Sequence, residues 1–196
     1  AITASLRALL LMATALLLVS CGNNKANSVI SQLSGETMGT FWYVRLAAPL
    51  DAPAQAALQR RIDVALEAVN DSMSTYREQS ELMRYNHNPA TTPQPVSDGL
   101  RRVIGKALEI SVQSDGVYDI TVGPLVNLWG FGPIKRQDKP ADSEIAEALQ
   151  HVGYGKLQLT DAGLAKSDPQ VFIDLSSIAK GYGVDVVAET LLDAGY

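Results

Sequence analysis

The sequence predicts an α+β domain of mixed helices and short, mostly antiparallel strands. Three observations predict it: apolar residues recur at helical spacing in several segments, one segment alternates with the period of a strand, and the two kinds mix without a strict βαβ rhythm. Residues 40–46 place Thr40, Trp42, Val44 and Leu46 on one face of a strand. A helix follows, with Pro53 in its first turn and Leu58, Ile62, Ala65, Leu66, Val69 and Met73 as its apolar stripe. A second helix takes Ser97 as N-cap, buries Leu100, Val103, Ile104, Ala107 and Leu108, and stops at Asp115-Gly116. A third is expected over about 143–152, stopped by Gly153. Residues 156–160 and 170–175 read as short strands, and residues 86–95, with Pro89, Pro93 and Pro95, as a loop. The last helix carries Val184, Val187, Ala188, Leu191 and Leu192, with Gly195 as its C′ residue.

The first twenty residues concern address rather than fold. Arg7 supplies positive charge, and residues 8–19 then run without a charge, rich in Leu and Ala. As a helix this run reaches about 18 Å, short of a hydrocarbon core of ~30 Å. A charged start, a short apolar run and small residues behind it describe a signal peptide. The junction Leu18-Val19-Ser20-Cys21 resembles the bacterial lipobox, which directs a lipid onto the cysteine sulfur and cleavage just before it. The division expected is a leader over 1–20, acylated Cys21 with a flexible tether over 21–35, and a domain over 36–196. Cys21 is the only cysteine, so once it is acylated no thiol remains for disulfides or metal ligation. The sequence stops after an amphipathic segment and a glycine, with no initiator methionine, which reads as a fragment of a longer domain.

Composition is that of a globular chain, with a net charge of −5. No basic run or patch is present, which argues against nucleic acid as a partner. His87 and His151 each stand alone and are expected to be solvated or to meet a helix dipole. Residues 138–144 read as a solvated connection, and Met73 and Met83 as packing.

Two segments could carry chemistry. Residues 117–133 combine glycines, prolines, aromatics and Asp119. Such a run can wrap a flat ligand, since glycine permits close backbone approach and aromatic faces stack on rings; a packed connecting loop with a buried tryptophan is the simpler account of it. Residues 172–183 read as an apolar strand ending at Asp174, a hydroxyl-bearing turn and a helix start. Backbone amides there favour phosphate oxygens, and Lys180 adds a positive charge. Asp174 or Ser176 could equally do no more than cap the helix. The spacing is not that of a P-loop or a dinucleotide fingerprint.

Taken with Met38-Gly39-Thr40 and Ser74-Thr75-Tyr76, these two segments fall in the order and approximate spacing of the FAD:protein FMN transferases, the ApbE lipoproteins, and the chain resembles that family along its whole length. The resemblance implies a T-fold-like domain, incomplete at its C-terminus. It implies an enzyme that takes FAD with Mg2+ and moves the FMN portion onto a threonine of an acceptor protein, releasing AMP, the acceptor belonging to an exported or membrane redox complex. Residue by residue it implies Met38 and Tyr76 at the flavin, Val117, Tyr118 and Asp119 at the adenine end, Asp174 and Lys180 as further FAD contacts, and Ser177 as a metal ligand through its backbone carbonyl. The family's remaining Mg2+ ligands, an aspartate and a threonine, and its candidate base belong to a later segment, so these 196 residues alone are expected to transfer little FMN. Two alternatives stand beside transfer: hydrolysis of FAD to FMN and AMP, and a flavin-binding envelope lipoprotein without turnover. The anchor implies the periplasmic side of a membrane. The inner membrane is favoured by family analogy, with Gly22 rather than Asp behind Cys21.

Overall fold

The computed structural model describes residues 30–133 and 135–196. Cys21 and the expected leader lie outside the described residues. The described chain begins with an antiparallel hairpin, β1 (Ser31–Thr37) and β2 (Thr40–Leu46), in which Leu33 faces Val44, Gly35 faces Trp42 and Thr37 faces Thr40. Residues 31–35, placed by sequence in the flexible tether, are therefore strand. Their polar composition hid them, because only Leu33 of that segment is buried and the rest takes its order from the partner strand. Trp42 lies across Gly35, where a Cβ would come within 2.7 Å of its indole nitrogen. A bare glycine opposite is what lets a ring of that size lie flat on a two-stranded sheet.

Three helices follow, each with a capping side chain where the sequence offers one. In α1 (Ala52–Met73) Asp51 accepts from the Ala54 amide at 2.8 Å. Ser80 caps α2 (Glu81–His87) by accepting from the Met83 amide, and Ser97 caps α3 (Asp98–Gln113) by accepting from the Leu100 amide. These bonds satisfy amides that have no partner inside the helix. The end of α3 is a Schellman turn: Gly116 donates to the Ser111 carbonyl, and Asp115 and Gly116 both take positive φ, 52° and 79°. Next come α4 (Gly123–Leu128), α5 (Asp142–Leu149), a 3-10 turn (Tyr154–Lys156) and a second hairpin, β3 (Leu157–Thr160) and β4 (Gly163–Lys166). The last element, α6 (Ala179–Asp193), ends at Gly195 in the same Schellman geometry, with φ 86° and Tyr196 donating to Leu191.

Several expectations shift. The loop expected over 86–95 yields Asn86 and His87 to α2, and Gln94 pairs with Leu164 at the edge of the second hairpin. The third helix ends at Leu149, and residues 138–144 include its first turn, where Glu144 accepts from the Ala141 amide and pairs with Arg136. Residues 170–175 alternate like a strand but form no ladder; a single parallel bridge joins Phe172 to Val122.

The buried apolar side chains form two clusters. The larger joins the C-terminal end of α1 and α2 to α3, Ile120, the second hairpin and Val171, Ile173 and Leu175. The smaller holds Leu33, Leu58, Ile62 and Leu66, with Trp42 and Val44 of β2 and Val187 and Leu191 of α6 packed against it. One long helix, α1, thus serves both, its first half under the hairpin and its last turns in the main core.

Candidate functional site

Two backbone segments run side by side at the centre of the site. Besides the Val122–Phe172 bridge, the Asp174 amide donates to the Ile120 carbonyl at 2.8 Å. Gly123 permits the approach, since a Cβ there would stand 2.5 Å from the Phe172 carbonyl oxygen. The pairing brings the expected adenine-end residues beside the expected phosphate turn, and the Tyr118 hydroxyl lies 3.0 Å from Ser177 Oγ.

Asp174 is buried, and its Oδ1 accepts from the Ser176 amide at 2.7 Å, while Oδ2 accepts no hydrogen bond from the described residues. The chain then turns into α6, which starts without a side-chain cap; the Ile178 and Ala179 amides both fold back onto the Leu175 carbonyl. The Ser177 carbonyl accepts nothing from the described residues, and Lys180 is exposed. Along one turn, then, stand a carboxylate oxygen, a carbonyl oxygen, an uncapped helix N-terminus and an ammonium. Hard oxygens suit Mg2+, and helix amides with a lysine suit phosphate oxygens. Among the described residues no three His, Cys, Asp or Glu side chains gather as a metal site. The turn therefore fits a cation that completes its shell from substrate phosphates and further oxygens, and does not by itself form a closed cage.

The Asp119 carboxylate is bonded within the chain. Its Oδ1 accepts from the Thr121 amide and hydroxyl at 2.7 and 2.6 Å, and its Oδ2 accepts from the Tyr154 amide at 2.7 Å. The carboxylate holds its own loop, while in the same segment Tyr118 is half-buried and Val117 is 91% exposed. Tyr76 joins the glycine-rich run rather than the Asp174 turn, its hydroxyl donating to the Phe131 carbonyl at 3.0 Å. Residues 123–128 of that run are helix, and Trp129 is 41% exposed, so the packed loop with a buried tryptophan is not what the chain adopts.

Met38 and Lys180 share a groove of about 420 Å3 between the first hairpin and α6, walled by Val44, Leu66, Val187 and Leu191. Met38 stands in the hairpin turn at φ 50°, and its Cε would lie 3.3 Å from a Cβ on Gly183. A groove with apolar walls, Phe41, Trp42 and Tyr43 among them, and one ammonium can take a flat apolar ring bearing an anionic tail.

Over residues 38–196 the chain matches the ApbE family. It belongs to that family. It is 42% identical over 186 residues to a FAD:protein FMN transferase of Vibrio cholerae, covering 94% of this chain and 55% of the relative. It is 44% identical over 190 residues to the Haemophilus influenzae protein of the same name, covering 92% of this chain and 53% of that one. Among solved structures, the flavin transferase ApbE of Vibrio cholerae superposes with a TM-score of 0.79 at 42% identity, over 85% of this chain and 55% of that one. The apo flavinyl transferase ApbE of Pseudomonas stutzeri gives 0.77 at 33% identity, over 84% of this chain and 52% of that one. The chain spans about half the length of the curated relatives it matches.

Within this ApbE-family chain, three polar features escaped the sequence. Lys166 is 1% exposed in β4, its Nζ 5.3 Å from the centre of the Tyr85 ring, and burial pushes its pKa down. Read as alternation, Leu164 and Lys166 share a face, but a lysine at the end of a four-residue strand looks solvated. Asn86 is 5% exposed and bonds both backbone groups of Ile173, although its neighbourhood of prolines reads as loop. His151, expected to be solvated or to meet a helix dipole, holds Asp168 at 2.8 Å, and this bond lowers the Asp168 pKa. The lone-histidine reading failed because the partner lies seventeen residues on, beyond the second hairpin.

Proposed function

We propose that this chain carries the FAD-binding part of an enzyme that transfers the FMN portion of FAD to a threonine hydroxyl of an acceptor protein and releases AMP. The observation that supports it most directly is the 42–44% identity to relatives named FAD:protein FMN transferase. The turn at Asp174 to Lys180 offers the groups that a pyrophosphate needs. In the reaction the acceptor oxygen bonds to the flavin-side phosphorus, the bond from that phosphorus to the bridging oxygen breaks, and AMP departs with the electron pair while the hydroxyl proton leaves. Phosphoryl transfer of this kind is mainly a matter of positioning and charge stabilisation. Met38 would flank the flavin in the groove, Tyr118 would meet the adenine end, and Lys180 with the first amides of α6 would hold the phosphates. Mg2+, held by the Ser177 carbonyl and the phosphates, would supply offset of the charge that builds on the pyrophosphate. Asp174 would hold this turn in shape through the Ser176 amide.

In the same reading the protein is exported and acylated at Cys21, faces the periplasm from the inner membrane, and modifies a subunit of an exported redox complex. The short apolar leader and the lipobox-like junction support this. Replacing Cys21 by Ala should abolish incorporation of labelled palmitate; retained label would remove the anchor from the proposal.

The activity is tested on the full-length protein, incubated with FAD and Mg2+ with and without acceptor. A fluorescent flavin band on the acceptor in a denaturing gel supports transfer. Free FMN formed at the same rate without acceptor would instead identify a hydrolase. Asp174→Ala should weaken FAD binding by roughly tenfold or more, since a buried charge-assisted bond to the Ser176 amide is lost, and should abolish transfer. Loss of affinity with no turnover in the unmodified protein either would leave a flavin-binding protein only.

A further inference from the structure

Asp174 sits at the end of a backbone stretch that belongs to no sheet, yet the stretch is fixed on both sides. On one side lies Ile120, whose carbonyl accepts from the Asp174 amide at 2.8 Å. On the other side no strand is present among the described residues, and a side chain takes its place. Asn86 Nδ2 donates to the Ile173 carbonyl at 2.9 Å, and the Ile173 amide donates to Asn86 Oδ1 at 2.9 Å. The carboxamide thus makes the pair of bonds that a neighbouring strand would make. Asn86 is itself held: Lys166 Nζ donates to its carbonyl at 3.1 Å and to the Val171 carbonyl at 3.4 Å, so the ammonium joins the end of α2 to the start of the same stretch. Asn86 and Lys166 are both almost wholly buried, 5% and 1% exposed. A leucine could fill either space, but it would leave backbone groups of Ile173, or the Asn86 and Val171 carbonyls, without these bonds. What the amide and ammonium add is a fixed register for residues 171–174, because hydrogen bonds have preferred distances and directions and apolar contacts do not.

We propose that Asn86 is a positioning residue that sets Asp174, and with it the turn to α6, in the orientation FAD requires, with Lys166 holding Asn86 in place. The proposal rests on the flavin reading for what Asp174 does, and on geometry alone for what Asn86 does to Asp174. If Asn86 served only to fill the core, its loss would lower the stability of the whole domain without reference to Asp174.

The test is a double-mutant cycle on the full-length protein with Asn86→Ala, Asp174→Ala and the pair, reading FAD affinity by flavin fluorescence. Amide hydrogen exchange without FAD is followed in parallel. Asn86→Ala should weaken FAD binding by roughly tenfold, the loss expected for a buried hydrogen bond, and should add nothing once Asp174 is already alanine. Exchange at the Asp174 and Ser176 amides should speed up by about tenfold, while the amides of Val103 and Ile104 in α3 keep their rates. Additive losses in the cycle, or exchange that rises equally throughout α3, would overturn the proposal. Should Asn86→Ala fail to fold, Asn86→Ser, which retains a hydroxyl toward Ile173, is measured in the same way. Should the unmodified full-length protein bind no FAD, the flavin reading fails, and the exchange pattern still decides whether Asn86 positions Asp174.

Discussion

Around α3 the core is locked by two kinds of force, and between the first hairpin and α6 by one. Leu100, Ile104, Ile120 and Ile173 are at most 1% exposed, and the backbone that crosses them is bonded by Asn86, Lys166 and Asp119. The hairpin and α6 meet through Val44, Trp42, Val187 and Leu191, which are only half-buried, while Phe41, Tyr43, Val184 and Leu192 stay exposed at 63–71%. Hydrogen bonds specify a geometry, whereas apolar contact specifies little more than proximity. The division suits the proposed ligand: charged phosphates need atoms held in place, and a flavin ring needs walls that can adjust.

The contrast can be broken first in the core. Ile104→Ala should lower stability by about 2–5 kcal/mol, the range for a large apolar side chain removed from a closed site. Val187→Ala in the groove should cost less than about 1 kcal/mol, because little is enclosed there. Urea midpoints of the two variants, at unchanged m, measure the difference; equal losses would mean that the two layers are packed alike.

A second substitution sharpens it at the junction. Gly123→Ala sets a methyl against the Phe172 carbonyl and ring. It should destabilise by about 1–3 kcal/mol, as overpacking does, and should weaken FAD binding beyond what the stability loss explains, since the Asp174 stretch must shift. Affinity that follows the folded fraction alone would show that the site tolerates the shift.

The smallest expected effect lies at the edge of the core. The hydrogen bond from His151, then the one from the Gln170 amide, hold the Asp168 pKa below its usual 3.8. Its folded value is depressed, so the contribution to stability is present above that usual value and is lost as pH falls through the folded one. With both side chains 19% exposed and therefore partly screened, Asp168→Asn should cost about 0.5–1 kcal/mol near neutral pH and nothing in strong acid. A constant difference across that range would assign the effect to packing.

What the sequence discloses follows the same division. The long helices were legible because periodicity and caps are local: Ser97, Pro53 and Gly195 act within a turn of their own position. The candidate site was legible as two segments, 117–133 and 172–183, and its polar turn lies where those segments place it. Their adjacency was not legible, because Gly123 against Phe172, and Asn86 against Ile173, join residues 49 and 87 positions apart. The stretch over 170–175 was read as strand since Val171, Ile173 and Leu175 alternate, and alternation reports burial of one face, not the identity of the hydrogen-bonding partner. That Asp119 holds its own loop was not legible for the related reason that a carboxylate in a sequence carries no sign of whether its oxygens are already taken.

The hairpin turn at Met38-Gly39 sets a limit on how this domain could be improved. Both residues hold positive φ, 50° and 68°, a conformation that asparagine and glycine adopt readily and that costs a methionine about 1 kcal/mol or more. Selection for thermal stability alone would favour Met38→Asn, and selection for the groove would keep a thioether against Gly183. A descendant stabilised by that exchange would thus have relaxed its turn and lost a thioether from the lining of its groove.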